Sequence, residues 1–263
     1  MSEISATVIG FERDTRFVNS VSGRRPEPII QRCKVETAAP FVLVCAFLFF
    51  FYVPSAMIAQ APAAGQVLHI QQYGFPVDVL VQGPANTQTE LQIICLFHSD
   101  PSNTLHGSLT EMNEKLQGLL NRVRTPSLFA GDLGETLLII PKAGTIPAHR
   151  LLIIGLGDSR TFTPARMNLV GTIAFTEASR LGVRHPFFAP TILDGGVSGF
   201  NTGEVAEQFM RGFLRGRALE AQLNTAGEAS HATVESLTFL AGAAHASDTQ
   251  AGIAKAIAAT KTP

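Results

Sequence analysis

The sequence predicts an α/β domain, and three observations carry that expectation. Short apolar strand patterns alternate with amphipathic helix patterns along most of the chain. That order builds right-handed crossovers with helices on both faces of a sheet. The strand patterns are nearly continuous apolar runs, such as Leu91 to Phe97, as strands buried on both faces require. The composition is that of a folding chain, with 263 residues, 46% hydrophobic and 16% charged. It excludes disorder, which needs low hydrophobicity and high charge. With 20 basic against 21 acidic residues, there is no basic excess to serve a nucleic-acid partner. Its 3 cysteines exclude a disulfide-dense scaffold.

The first element is a leader. Between Glu36 and Asp78 no Asp, Glu, Lys or Arg occurs. Within that gap Ala38 to Val53 is almost wholly apolar. Arg24, Arg25, Arg32 and Lys34 precede it, and Ala59-Gln60-Ala61-Pro62 follows. A spanning helix needs about 20 apolar residues, and this run is shorter. A basic region, a short apolar run and an Ala-x-Ala site are the order of a cleaved secretory signal. Residues 1–61 are therefore expected to be a leader cleaved near Ala61. The rest would be exported to a periplasmic or extracellular space. A retained anchor over residues 38–58 is the second reading and the only one that brings the chain to a membrane. A buried core helix is the third.

Residues 62–76 read as a linker and residues 77–263 as the domain. Val77 to Val81 is the first expected strand and Leu91 to Phe97 the second. Leu109, Met112, Leu116, Leu119, Leu120 and Val123 recur at helical spacing and predict one helix. Thr136 to Ile140 and Arg150 to Ile154 follow as strands. Thr163 and Pro164 are an N-cap and first-turn pair for the next helix. Pro186 to Leu193 reads as a strand broken by Pro190. Asn201 and Glu204 have capping-box spacing before another helix. Thr233 to Leu240 is the sixth strand, and Asp248 to Ala259 the last helix. Cys33 and Cys45 fall in the leader. Cys95 lies in an apolar run and reads as a small buried hydrophobe.

Two ordered motifs go beyond general patterning. Phe129-Ala-Gly-Asp-Leu-Gly-Glu135 leads into one strand. Arg150-Leu-Leu-Ile-Ile-Gly-Leu-Gly157 follows, and then Thr163-Pro-Ala-Arg166 opens a helix. This arrangement resembles the amino-terminal domain of leucyl aminopeptidases, over roughly residues 77–260. The resemblance implies a three-layer α/β/α macro-domain-like fold with a mostly parallel mixed sheet. In the full enzymes a following domain holds two metal ions, through residues that include an Asn-Thr-Asp-Ala-Glu-Gly-Arg stretch. Asn201-Thr202-Gly203-Glu204 lacks the Asp and Arg of that stretch. The resemblance thus implies family membership without aminopeptidase activity, and neither metal nor cofactor is expected.

The strongest candidate site is the loop Asp194-Gly195-Gly196-Val197-Ser198-Gly199-Phe200 between a strand and a helix. Backbone N–H groups of Gly195, Gly196, Ser198 and Gly199 could meet an anion at a helix start. Macro domains use a comparable loop for the diphosphate of ADP-ribose. The competing reading is a tight turn without a ligand, since Asp194 beside it repels phosphate. Gly155-Leu156-Gly157-Asp158 lacks the third glycine of a dinucleotide fingerprint. His98, Asp100 and His106 lack paired metal-ligand spacing. Arg211, Arg215 and Arg217 share a helix with Glu204, Glu207 and Glu220 and read as a solvated face.

These observations leave three functional expectations. The first is a non-catalytic exported binding or assembly module, with self-association or a protein partner. The second is a module that binds ADP-ribose or another phosphorylated nucleotide. The third is residual peptidase or ADP-ribosyl hydrolase activity.

Overall fold

Five parallel strands form the middle of the sheet. In a computed structural model, described for residues 61–70, 75–99, 104–228 and 234–260, the strands are β1 (Val67–Ile70), β2 (Val77–Val81), β3 (Gln92–Leu96), β4 (Thr136–Ile139), β5 (Leu151–Gly155), β6 (Phe187–Ala189) and β7 (Leu237–Ala241). Their order is β1-β2-β7-β6-β3-β5-β4. β1 and β4 are antiparallel to their neighbours and close the two edges. The helices are α1 (Gly107–Lys115), α2 (Leu119–Val123), α3 (Met167–Arg180), α4 (Thr202–Thr225) and α5 (Ala246–Ala259).

The alternation of side chains sorts the core into two layers. Every residue of β3 and β5 is buried. Ile93, Cys95, Leu152 and Ile154 pack with α3, α4 and α5. Ile94, Leu96, Leu151 and Ile153 pack on the other side with α1, α2 and Phe129. The fold is therefore a three-layer α/β/α sandwich on a mostly parallel mixed sheet, as expected. Phe188 stacks on Phe209 of α4 with centroids 3.8 Å apart. Phe239 meets both rings edge-on.

Several elements differ from expectation. Residues 62–76, read as a linker, supply β1. Its short Val67–Ile70 run pairs with β2 through Val67↔Leu80 and Ile70↔Val77, a tertiary pairing that a four-residue pattern does not announce. The single helix expected over Leu109 to Val123 is two helices. Gln117 adopts φ 56 and Gly118 φ 80. The Gln117 N–H donates to the Glu114 carbonyl at 2.9 Å and the Gly118 N–H to Asn113 at 2.7 Å. This is a Schellman closure in which glutamine holds the left-handed position that glycine usually signals.

The strand expected over Pro186 to Leu193 ends at Ala189, because Pro190 has no N–H to continue the ladder. Thr163 makes no side-chain cap, and a 3₁₀ turn at Pro164–Arg166 precedes α3. Asn201 does cap α4, its Oδ1 accepting the Glu204 N–H at 2.9 Å.

The charged face of α4 is not uniformly solvated. Glu207 is 7% exposed and binds Arg211 and Lys255, each at 2.7 Å, tying α4 to α5. Arg217 lies 5.0 Å over the Phe75 ring. The leader, apart from Ala61, lies outside the described residues. Among the described residues no helix is long and apolar enough to cross a membrane.

Candidate functional site

Gly195, Gly196, Ser198 and Gly199 come together between β6 and α4, but their backbone does not converge on open space. The Gly195 N–H donates to Thr191 and Ile192 carbonyls at 3.0 and 3.1 Å. The Gly196 N–H donates to Leu193 at 3.0 Å and the Val197 N–H to Ile192 at 3.3 Å. These donors are used inside the turn. Ser198 and Gly199 are exposed. None of the four lines the cavity beside the loop.

That cavity has a volume of about 470 Å³ and opens at the carboxyl ends of β2, β7 and β6. Its place follows from the topology. Ala85, just after β2, packs on the α1 face, whereas the chain after β7 enters α5 on the opposite face. Neighbouring strands whose connections leave to opposite faces open a crevice, and ligands of open α/β sheets lie there. Phe239 and Ala241 of β7, Ile192 and Val205 supply apolar wall. Three helix starts border it, through Ser108 of α1, Thr202 of α4 and His245 and Thr249 of α5.

The polar groups of the cavity have unequal partners. Asp194 Oδ2 accepts the Ser108 hydroxyl at 2.5 Å, and Oδ1 accepts the Ser108 N–H at 3.3 Å. The Asp194 carbonyl accepts the His106 N–H at 2.8 Å. Asp194 thereby caps α1, whose own N-cap residue His106 offers no side-chain bond. Thr249 is 3% exposed and lines the cavity. Among the described residues nothing hydrogen-bonds its hydroxyl. No Lys or Arg is among the lining residues. Ser108, His245 and Thr249 escaped the sequence reading, since helix starts scattered over about 140 residues of chain carry no spacing signature. Only Asp194 and the start of α4 were visible in advance.

Thr191 shapes the rim. Its φ is 48, a strained value for a β-branched residue. Its hydroxyl donates to the Cys95 carbonyl at 2.6 Å and accepts the Cys95 N–H at 3.0 Å. The side chain so replaces the ladder that Pro190 interrupts. Cys95 itself is fully buried, and burial pushes its thiol pKa up.

The two motifs behind the family resemblance interlock away from the cavity. Glu135 accepts the N–H groups of Ala130, Gly131 and Asp132 at 3.2, 2.7 and 3.0 Å. The Gly155 N–H donates to Glu135 at 2.8 Å and the Gly157 N–H to Gly131 at 2.8 Å. A Cβ at Gly155 would lie 2.0 Å from the Asp132 carbonyl oxygen, so the close approach admits only glycine. Arg166 donates to the Leu156 and Asp158 carbonyls, both at 3.0 Å. Arg160 chelates Asp158, whose pKa its hydrogen bonds lower to about 2. His98 pairs with Asp132 at 2.8 Å, and His106 with Thr104 at 3.1 Å. Asp100 lies outside the described residues. Among the described residues no three His, Cys, Asp or Glu side chains group as a metal site.

Fold, motif pair and crevice together define a macro-like α/β/α domain of the aminopeptidase type. Residues 93–217 match the model of the cytosol aminopeptidase family, N-terminal domain, and this part of the chain resembles that domain. A probable cytosol aminopeptidase of Roseiflexus castenholzii is 30% identical over 183 residues, covering 68% of this chain and 33% of the relative. Probable cytosol aminopeptidase 1 of Shewanella oneidensis is 37% identical over 79 residues, 30% of this chain and 15% of the relative. The chain thus spans a third or less of these relatives. A tomato leucine aminopeptidase mutant superposes with TM-score 0.52 at 19% identity, over 68% of this chain and 35% of that one. An Oceanobacillus iheyensis macrodomain mutant gives TM-score 0.49 at 12% identity, over 74% of this chain and 99% of that one.

Proposed function

We propose that this domain is a small-molecule binding module whose ligand sits in the cavity at the carboxyl ends of β2, β7 and β6. The observation that carries the reading is Thr249, 3% exposed and without a hydrogen-bond partner among the described residues, on the wall of that cavity. Its hydroxyl is not one of the described buried polar atoms that lack a partner; it opens to the cavity, within reach of a ligand acceptor or donor. The volume of about 470 Å³ falls within the roughly 300–1,000 Å³ of small-molecule sites, which are mostly apolar with few polar groups. Binding without chemistry suits Asp194, whose two oxygens are both engaged by Ser108 in holding α1.

The test is thermal melting of the full chain with nucleotides, amino acids and short peptides. A ligand at 100 times its Kd stabilises by about 2.7 kcal/mol. Ala241→Phe, which fills the cavity from β7, should abolish the shift in a variant that is still folded by circular dichroism. No shift from any compound, or an equal shift in Ala241→Phe, would remove the reading.

Assembly has its own support at the other edge of the sheet. β4 is an edge strand, and Leu138 within it and Ile140 just after it are 43% and 79% exposed. An open apolar edge invites strand pairing. If it pairs copies of the chain, Ile140→Lys shifts the sedimentation coefficient to that of a monomer. A parent chain that is already monomeric would exclude this second reading.

A further inference from the structure

We infer that two copies of this chain join antiparallel through β4, around a two-fold axis at Leu138, so that their seven-stranded sheets run into one. This rests on the second reading above, that the β4 edge pairs copies of the chain, and adds the register and symmetry of the pairing. The phase of the edge is set from inside the sheet. β4 lies antiparallel to β5, with Leu137↔Ile153 and Leu138↔Leu152 in register. The Gly155 N–H donates to the Glu135 carbonyl at 2.8 Å, so Glu135 turns its carbonyl toward β5. Residues of an antiparallel ladder alternate between bonded and non-bonded positions. Leu137 and Ile139 therefore face β5, and the N–H and C=O groups of Thr136, Leu138 and Ile140 face the open edge. Three outward residues with Leu138 in the middle are self-complementary. Against a second copy, Leu138 meets Leu138 and Thr136 meets Ile140, as an isologous contact requires.

Three observations make the occupant a second copy. Thr136 to Ile140 carries no charge and no proline, and its register with β5 is unbroken from Thr136 to Ile139. It thus lacks the devices that keep an edge strand single. Apolar surface continues from the edge. Thr136 and Leu138 lie opposite Ile154 and Leu152, on the sheet face that α3 covers. The cover is incomplete: Leu169 of α3 reaches Gly134 and stays 40% exposed, and Leu133 is 43% exposed. With Leu138 and Ile140, four of the nine large apolar side chains exposed among the described residues gather here. The two-fold lays this strip against its own copy. The charges agree with that direction. Asp132 and Glu135 precede β4 and Lys142 follows it. Antiparallel pairing brings each Lys142 to the acidic end of the other copy, whereas parallel pairing would place like charges side by side.

The experiment is disulfide cross-linking of the full chain with Cys33→Ser and Cys45→Ser, which leaves only the buried Cys95. In a hydrogen-bonded antiparallel pair the Cα atoms lie about 5.5 Å apart, inside the roughly 4.4–6.8 Å that a disulfide spans. Ile140 and its copy are about 14 Å apart, being four residues out of step at about 3.4 Å each. Under mild oxidation Leu138→Cys should form a covalent dimer at least about 10-fold faster than Ile140→Cys or Thr136→Cys alone. Leu138→Pro removes an N–H that β5 does not use, a position where an edge strand accepts proline. It should keep the circular dichroism of the parent and sediment as a monomer. If it does not fold, the cross-linking series decides alone.

A dimer that cross-links fastest through Ile140→Cys or Thr136→Cys would overturn the two-fold at Leu138 and leave pairing at β4 standing. A dimer that none of the three cysteines captures, or one that survives in folded Leu138→Pro, would overturn both. A parent chain that sediments as a monomer would also overturn both.

Discussion

Gly252→Ala tests how the α5 wall of the cavity is built. α5 crosses the start of α4 with almost no space between the backbones. A Cβ at Gly252 would lie 1.9 Å from the Gly203 carbonyl oxygen, and one at Gly203 would lie 2.8 Å from that of Asp248. Close carbon–oxygen contacts run at about 3.3–3.6 Å, so the helices would have to part by more than about 1 Å. The obstacle is backbone, which cannot turn away as a side chain can. A clash this deep against backbone belongs at the upper end of the roughly 1–3 kcal/mol that overpacking costs. Alanine offsets up to about 1 kcal/mol of that through helix propensity. A net loss of about 1–2 kcal/mol lowers Tm by roughly 2–8 °C for a domain of this size. The assay is the far-ultraviolet melt of the full chain. The same displacement moves Thr249 away from Thr202, so ligand affinity should fall well below the melting transition. An unchanged or higher Tm would refute the close-packed crossing, because an unobstructed Gly→Ala change in a helix stabilises.

Other outcomes follow from single contacts. Thr191→Val deletes both hydroxyl bonds to the Cys95 backbone and should cost about 1–3 kcal/mol for the orphaned groups, read by chemical denaturation. Lys255 and then Arg211, through their hydrogen bonds, hold the Glu207 carboxyl below its usual pKa. Its stabilisation is therefore complete above the unfolded value of about 4.3 and fades as pH falls through the lower folded value. Glu207→Gln should lower Tm at neutral pH and flatten the acid limb of the Tm profile below about pH 4.3. Amino-terminal sequencing of the exported protein should begin at or near Pro62 if the Ala59-Gln60-Ala61 signature is cleaved, and the intact leader in the membrane fraction would favour an anchor.

The interior strands were legible because a strand buried on both faces must be apolar at every position. Leu91 to Phe97 and Arg150 to Ile154 are read within a residue or two of β3 and β5. The helix caps were legible only where the side chain does the capping. Asn201 bonds the Glu204 N–H, whereas Thr163 has the right type and position and makes no such bond. What failed were features decided by partners distant in sequence. β1 is a strand because β2 offers it an edge. Leu109 to Val123 keeps an apolar stripe across the break, since α1 and α2 bury the same face against the sheet.

The candidate site divides along the same line. Glycine-rich loops were read as ligand cradles because glycine lets backbone N–H groups approach a ligand, but the same freedom lets them approach another carbonyl. At Gly195 and Gly196 the donors turn inward to Thr191, Ile192 and Leu193, and at Gly155 and Gly157 they join the Glu135 loop. The residues that make the family recognisable are therefore those that hold the sheet's exit loops together. The cavity is assembled from what such loops leave unfilled, namely the starts of α1, α4 and α5 around the end of β7. Asp194 belongs to both systems, as a cap for α1 and as the one carboxylate among the lining residues. Its charge was read as an argument against an anion in the glycine loop. With the loop's N–H groups occupied, the same charge becomes an argument about the cavity, where no lining Lys or Arg offsets it and a polyanion is disfavoured.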